Sequence, residues 1–195
     1  MKVIGFNGSP RKGGNTEYMI KTVFAELEKH GIETELIQVG GKSVRGCTAC
    51  LACRSGQSEN CVIDSDPVNE WVQKMVEADG IIMGSPTYFS SLTPELKALI
   101  DRAGYITLGK GGLLKRKVGV ALAAVRRAGG VHVFDQINHF FHISQMVMPG
   151  ASYWNLGVGR EKGEFLEDEE GIRNMRTLAD NMIWLLNLID KEKKH

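Results

Sequence analysis

The sequence contains no uninterrupted apolar run near the roughly 18 residues that a membrane span requires, so no membrane partner is expected. It also lacks a dominant charge: 24 lysines and arginines face 23 aspartates and glutamates, a formal net +1. That balance gives neither nucleic acid nor an anionic membrane an electrostatic handle. It argues equally against a small electron carrier steered by a strongly acidic surface. Cysteine is absent outside one short window, which holds Cys47, Cys50, Cys53 and Cys61. A disulfide framework would scatter cysteines to join distant segments, so this clustering points to reduced thiols and a cytoplasmic protein. There is no internal repeat, low-complexity tract or linker, and Met1-Lys2-Val3-Ile4 runs into a core-type strand with no signal-peptide pattern. A single domain over residues 1–195 is expected, long enough to bury a full core, with a cysteine-rich loop at about residues 44–64.

What is present alternates between short β-rich runs and helical patterns, the order of a parallel sheet covered on both faces. Strands are expected at Lys2 to Asn7, Glu33 to Val39, Gly80 to Gly84 and Lys117 to Val125, with a short fifth between Ser144 and Trp154. The first helix, Asn15 to His30, sets Met19, Ile20, Val23, Phe24 and Leu27 on one face, and Gly31 suits the left-handed position that stops it. Asp66-Pro67 predicts an N-cap and first helical residue, ahead of an apolar stripe of Val68, Trp71, Val72, Met75 and Val76. Thr93-Pro94-Glu95 opens a third helix by the same logic, and Val131 to His142 reads as a fourth. Asp168 to Asp190 is a long amphipathic helix with Ile172, Met175, Ala179, Met182, Leu186 and Ile189 on one side. Gly109 to Gly112 and Gly157 to Gly163 read as flexible loops, and Lys191-Glu192-Lys193-Lys194 as a solvated helix end. Trp71 and Trp184 read as core or interface, Tyr153 and Trp154 as the border of a ligand pocket. This succession gives an α/β, doubly wound five-stranded parallel sheet of order 2-1-3-4-5. Such sheets bind ligands beyond the C-terminal strand ends, beside strands one and three.

The first strand ends in Asn7-Gly8-Ser9-Pro10-Arg11-Lys12-Gly13-Gly14-Asn15-Thr16 and a helix follows directly. Small and hydroxyl residues there let backbone N–H groups and the helix dipole converge on a phosphate, and Arg11 can add a charge-assisted contact. A nucleotide P-loop would need lysine and a hydroxyl residue after its second glycine, whereas Gly14-Asn15 follows Gly13. The G-x-G-x-x-G spacing of a dinucleotide loop is missing too. After the third strand, Pro86-Thr87-Tyr88-Phe89-Ser90-Ser91 offers aromatic surface and backbone donors together. Side chains alternate along an extended segment, so one of Tyr88 and Phe89 faces a ligand or a partner subunit.

Gly8-Ser9-Pro10-Arg11 with Gly14-Asn15-Thr16, paired with Gly84-Ser85-Pro86-Thr87-Tyr88-Phe89, resembles the NADPH-dependent FMN reductase superfamily of flavodoxin-like proteins. The four cysteines make the chain similar to the iron–sulfur flavoproteins within it. The resemblance covers most of the chain up to about residue 150. It implies that Ser9, Arg11, Asn15 and Thr16 hold the FMN phosphate, and that Pro86, Thr87, Tyr88 and Phe89 line the isoalloxazine. It also implies that Val125-Arg126-Arg127-Ala128-Gly129-Gly130 lies at the pyrimidine edge, where Arg126 would stabilise negative charge on reduced flavin. Val131 and His132 stand where relatives often carry glutamine and glutamate, a departure at that edge. Homodimers or homotetramers are expected, because members commonly complete the flavin pocket with a neighbouring subunit.

Cys47-x-x-Cys50-x-x-Cys53, with Cys61 nearby, suits a [4Fe–4S] cluster beside the flavin, since each iron of the cubane needs one soft ligand. A tetrahedral zinc site, a redox-active C-x-x-C pair and ligand-free thiols use the same residues and stay open as readings. The expected function is an FMN-dependent oxidoreductase or electron-transfer protein with the cluster as one-electron relay, fed by ferredoxin or NAD(P)H. The alternatives are a cluster-free NAD(P)H-dependent FMN or quinone reductase, and a non-enzymatic flavin- or zinc-binding module.

Overall fold

Lys2–Asn7 (β1), Gly80–Pro86 (β3) and Val118–Val125 (β4) are runs of apolar and small residues, and nearly all their side chains are buried. Strands of that kind belong mid-sheet, covered on both faces. In the computed structural model, which describes residues 1–193, they are flanked by the edge strands Glu33–Gln38 (β2) and Leu156–Val158 (β5). The order is β2-β1-β3-β4-β5 and every pairing is parallel. The helices are α1 (Asn15–Lys29), α2 (Val68–Glu77), α3 (Pro94–Gly109), α4 (Gly130–Ile143) and α5 (Glu169–Lys193), with a short 3-10 helix at Glu164–Glu167.

Alternation along β1 sends Ile4 and Phe6 to one face, where Trp71 of α2, Leu96 and Leu99 of α3, and Phe141 of α4 close over them. Val3 points to the other face, against Met19, Val23 and Phe24 of α1 and Met175, Met182 and Leu186 of α5. The five expected apolar residues of α1 are all buried, and Gly31 takes the left-handed conformation at φ 71°.

Several expectations are corrected. The fifth strand does not lie between Ser144 and Trp154. Val147 makes one parallel bridge to Val118, and then Pro149, which has no N–H to donate, takes the chain off the edge. It returns at Leu156–Val158 to pair with Ala123–Val125. Gly157 is therefore a buried strand residue and not part of a flexible loop. Trp71 is core, but Trp184 is 66% exposed on the outer side of α5. Helix α2 begins at Val68, with Pro67 at its N-cap position, although an Asp66 oxygen still accepts the Val68 N–H at 3.2 Å. Lys191 and Lys193 lie in the last turn of α5; Lys194 falls outside the described residues.

Candidate functional site

The loop after β1 is held from three sides before any ligand is considered. Gly8 donates its N–H to the Gly84 carbonyl at 2.8 Å, and a Cβ on Gly8 would come within 2.9 Å of that oxygen. Buried Asn7 donates to Gln38 Oε1 at 2.9 Å and accepts the Ser9 N–H at 3.0 Å. Gln38 in turn donates to the carbonyls of Ser9 and Gly40 at 2.6 and 2.8 Å. Thr93, expected as a helix cap, instead donates its hydroxyl to the Gly8 carbonyl at 2.9 Å. Helix α1 then opens at Gly14 with no side-chain cap, which leaves first-turn N–H groups for an outside acceptor. Glu17 reaches back to the Gly13 N–H at 2.6 Å. Its burial alone would raise the carboxyl, but Lys21, the Gly13 N–H and Lys162 outweigh that and hold it below the ordinary range.

A cleft of about 360 Å³ opens over that helix start and brings together Ser9, Arg11, Asn15, Thr16, Pro86, Thr87, Tyr88 and Arg126. It falls within the usual size of small-molecule sites. Its far wall, unforeseen in the sequence, is Gly159-Arg160-Glu161-Lys162 after β5. The signal was there in two cations set between glycines. Arg11, Arg126, Arg160 and Lys162 rim the cleft, with Glu161 paired to Arg160 at 3.1 Å. Asn15 spends its side chain on that wall: its amide donates to the Glu161 carbonyl at 2.9 Å, and its oxygen accepts the Gly163 N–H at 2.9 Å.

Phe89 is not among the lining residues. Tyr88 and Ser91 exchange two backbone hydrogen bonds of 2.9 Å, so Phe89 and Ser90 are the tip of a two-residue turn, at φ 49° and 60°. Such turns favour Asn-Gly, and each non-glycine residue in this conformation costs about 1–2 kcal/mol. The turn holds Tyr88 at the cleft and leaves the Phe89 ring wholly exposed. Tyr153 and Trp154 do not border the cleft either; they pack edge-to-face on each other by β5, at 4.7 Å between centroids. A second groove of about 370 Å³ between α3 and α4 is lined mostly by apolar groups such as Ile100, Leu108, Phe140 and Ile143. Arg54, Tyr105, Gln136 and His139 also line it, but no helix N-terminus opens into it, so phosphate chemistry belongs to the cleft.

Residues 1–161 match the family model described as NADPH-dependent FMN reductase. The chain belongs to that family. An iron–sulfur flavoprotein of Methanocaldococcus jannaschii is 38% identical over 198 residues, 98% of this chain and 100% of that one. An iron–sulfur flavoprotein of Methanosarcina thermophila is 35% identical, over 99% of each chain. The likeness therefore runs past residue 150 into α5. Among solved structures, a WrbA-like flavodoxin of Agrobacterium tumefaciens superposes with a TM-score of 0.64 over 97% of both chains, at 13% identity. That match shows the shared fold. This FMN reductase relative is thus an oxidoreductase with FMN as its family cofactor, and the cleft fits that cofactor. The uncapped α1 start and four cations suit a phosphate, while Pro86 and Tyr88 offer a flat apolar wall.

In this member of the family the four cysteines are free thiols on one loop between β2 and α2. Cys53 and Cys61 pack against the core. The Cys53 thiol is pushed up by burial and further by the nearness of Cys61, Cys50 and Cys47. The Ala49 N–H donates to Cys47 Sγ at 3.4 Å. Asn69 of α2 exchanges two hydrogen bonds with the Cys61 backbone, at 3.0 and 2.9 Å. Ala49 and Leu51, on either side of Cys50, are left-handed at φ 53° and 60°, a strain characteristic of functional loops. The donor set fits a soft metal centre in kind. Among the described residues, however, no three His, Cys, Asp or Glu side chains already surround a point that would hold an ion. None of the four cysteines is among the residues that line the cleft. Cys53 and Arg54 lie against Gly109 at the C-terminal end of α3, while Val44 and Gly46 share a pocket with Pro94, Glu95 and Ala98 at its N-terminal end, so the loop runs along the helix.

Proposed function

We propose that this oxidoreductase carries FMN in the cleft and a [4Fe–4S] cluster on Cys47, Cys50, Cys53 and Cys61. The observation that carries the flavin half is the uncapped start of α1 opening into a cleft rimmed by four cations. Ser9 and the N–H groups of Asn15 and Thr16 receive the phosphate, with Arg11, Arg160 and Lys162 supplying charge-assisted contacts. Pro86, Thr87 and Tyr88 orient the ring, and Arg126 stands ready to stabilise negative charge at its pyrimidine edge. When bound, FMN takes up an electron pair and releases electrons singly, and the cluster supplies the one-electron route. NAD(P)H or a ferredoxin is the donor class in this reading. In this reading the protein works in the cytoplasm as a homodimer or homotetramer, with the fully exposed Phe89 as the contact offered to a second chain.

A second reading is favoured by the thiols not being arranged around one point: a cluster-free flavin or quinone reductase using NAD(P)H. Anaerobic purification with iron, sulfide, zinc and FMN quantified per chain separates the two. About four irons and one FMN are expected. FMN without iron after attempted reconstitution selects the cluster-free reductase, and zinc without flavin would leave only a binding module.

A further inference from the structure

Two buried charges take no part in the cleft. Arg102 of α3 and Asp66, ahead of α2, have side chains 0% and 3% exposed. One guanidinium nitrogen, Nη1, donates to both Asp66 oxygens at 2.7 and 2.5 Å and to the Arg45 carbonyl at 3.3 Å. The other, Nη2, donates to the Ile63 carbonyl at 2.6 Å. Asp66 accepts the N–H of Arg45 at 3.0 Å and that of Val68 at 3.2 Å. The pair therefore ties residue 45 to residues 63 and 66, the two ends of the segment that carries every cysteine of the chain.

As a device for joining α2 to α3 this arrangement is inefficient. A buried ion pair is often no more stabilising than packed apolar side chains of similar size. Arg102 Nε is moreover buried with no hydrogen-bond partner, which adds a desolvation cost. What the pair does that two apolar residues would not is hold polar backbone at both ends of one loop. We propose that Arg102, through Asp66, is a positioning residue for the cysteine loop: it closes the neck of the loop and so keeps the four thiols on a short closed segment before a metal is captured. Closing a loop in advance removes an entropy cost that binding would otherwise bear, and such outer contacts orient the ligands themselves. This inference rests on the cysteines being a metal centre, and its test is built to separate the two.

The full chain is compared with the Arg102→Met/Asp66→Asn double variant, which replaces the pair by neutral side chains, and with Arg102→Lys, which keeps the charge but has no second arm for Ile63. FMN content and thermal unfolding check the fold. Amide hydrogen exchange over residues 46–62 is read on metal-free protein, and iron per chain is read during anaerobic titration with ferrous iron and sulfide. The double variant should bind FMN normally, exchange faster across the loop, and take up iron roughly ten- to a hundredfold more weakly, with Arg102→Lys in between. Wild-type exchange in the folded double variant overturns the proposal, and so does faster exchange with unchanged iron uptake. Faster exchange where the unaltered chain takes up no iron upholds the clamp and overturns the cluster instead. If the neutral pair unfolds the chain, Arg102→Lys decides: exchange like that of the unaltered protein overturns the proposal, and faster exchange with weaker iron uptake upholds it.

Discussion

Gly40 has no space for a side chain. A Cβ there would stand 2.3 Å from the Gly8 carbonyl oxygen and 2.5 Å from Pro10 N, and these are backbone atoms that cannot swing aside. Gly40→Ala must therefore shift the loop after β1, and a stability loss of about 1–3 kcal/mol is expected. FMN affinity should fall with it, by about tenfold for the loss of one charge-assisted contact. A titration of apoprotein followed by flavin fluorescence measures this, and unchanged affinity would remove the backbone cradle from the phosphate site. A second residue gives a pH signature. Burial would raise the Asp66 carboxyl, but the Arg102 guanidinium and the N–H groups of Arg45 and Val68 outweigh it and hold the group below its ordinary 3.8. A depressed carboxyl contributes stability in full above its unfolded value. That contribution is lost as pH falls through the lower folded value. The acid limb of the stability curve, below about pH 4, should be shallower for Asp66→Asn than for the unaltered chain. Coincident limbs would mean that the pair carries no linked proton.

At the scale of elements, the segment after β5 is a wall and not a tether. Asn15 pins it to α1, so Arg160 and Lys162 face the cleft from a fixed backbone. Arg160→Ala with Lys162→Ala should weaken FMN binding by about tenfold or more, since hydrogen bonds to charged groups contribute about 1.5–3 kcal/mol. Riboflavin, which has no phosphate, should bind both proteins alike. Equal losses for the two ligands would place these cations on the ring. The turn at Phe89-Ser90 makes the opposite kind of claim. Ser90 sits at φ 60°, and Ser90→Gly should raise stability by about 1 kcal/mol, because glycine adopts that conformation without strain. A thermal midpoint that falls instead would show that the Ser90 side chain contributes more by packing against Gly129 than its backbone costs.

Across the whole molecule the four cysteines and the cleft share no lining residue, and Cys53 lies against the last turn of α3. Sites without shared partners are energetically independent as a rule. Cys50→Ala should abolish iron uptake yet leave one FMN per chain with affinity changed less than about twofold. A large loss of FMN from that variant would show that the loop supports the cleft. Much of this architecture is legible in the chain by itself. Period-two and period-3.6 patterning is local physics, so the strands from β1 to β4 and every long helix stand within a few residues of their expected bounds. The sheet order, the Ser9 to Thr16 cradle and the four-thiol loop also follow from residues close together in sequence. The rest depends on contacts between distant segments. Pairing to β4 decided where the fifth strand lies. Asn15 reaching 146 residues along the chain to Glu161 turned an apparent loop into a wall, and Arg102 reaching Arg45, Ile63 and Asp66 turned another into a clamped one. Local sequence determined which pieces form, because propensity and burial periodicity act over one or two turns. Tertiary structure alone decided which loops are fixed and what faces the cleft, because a polar side chain's partner is set by packing geometry that no short stretch of sequence contains.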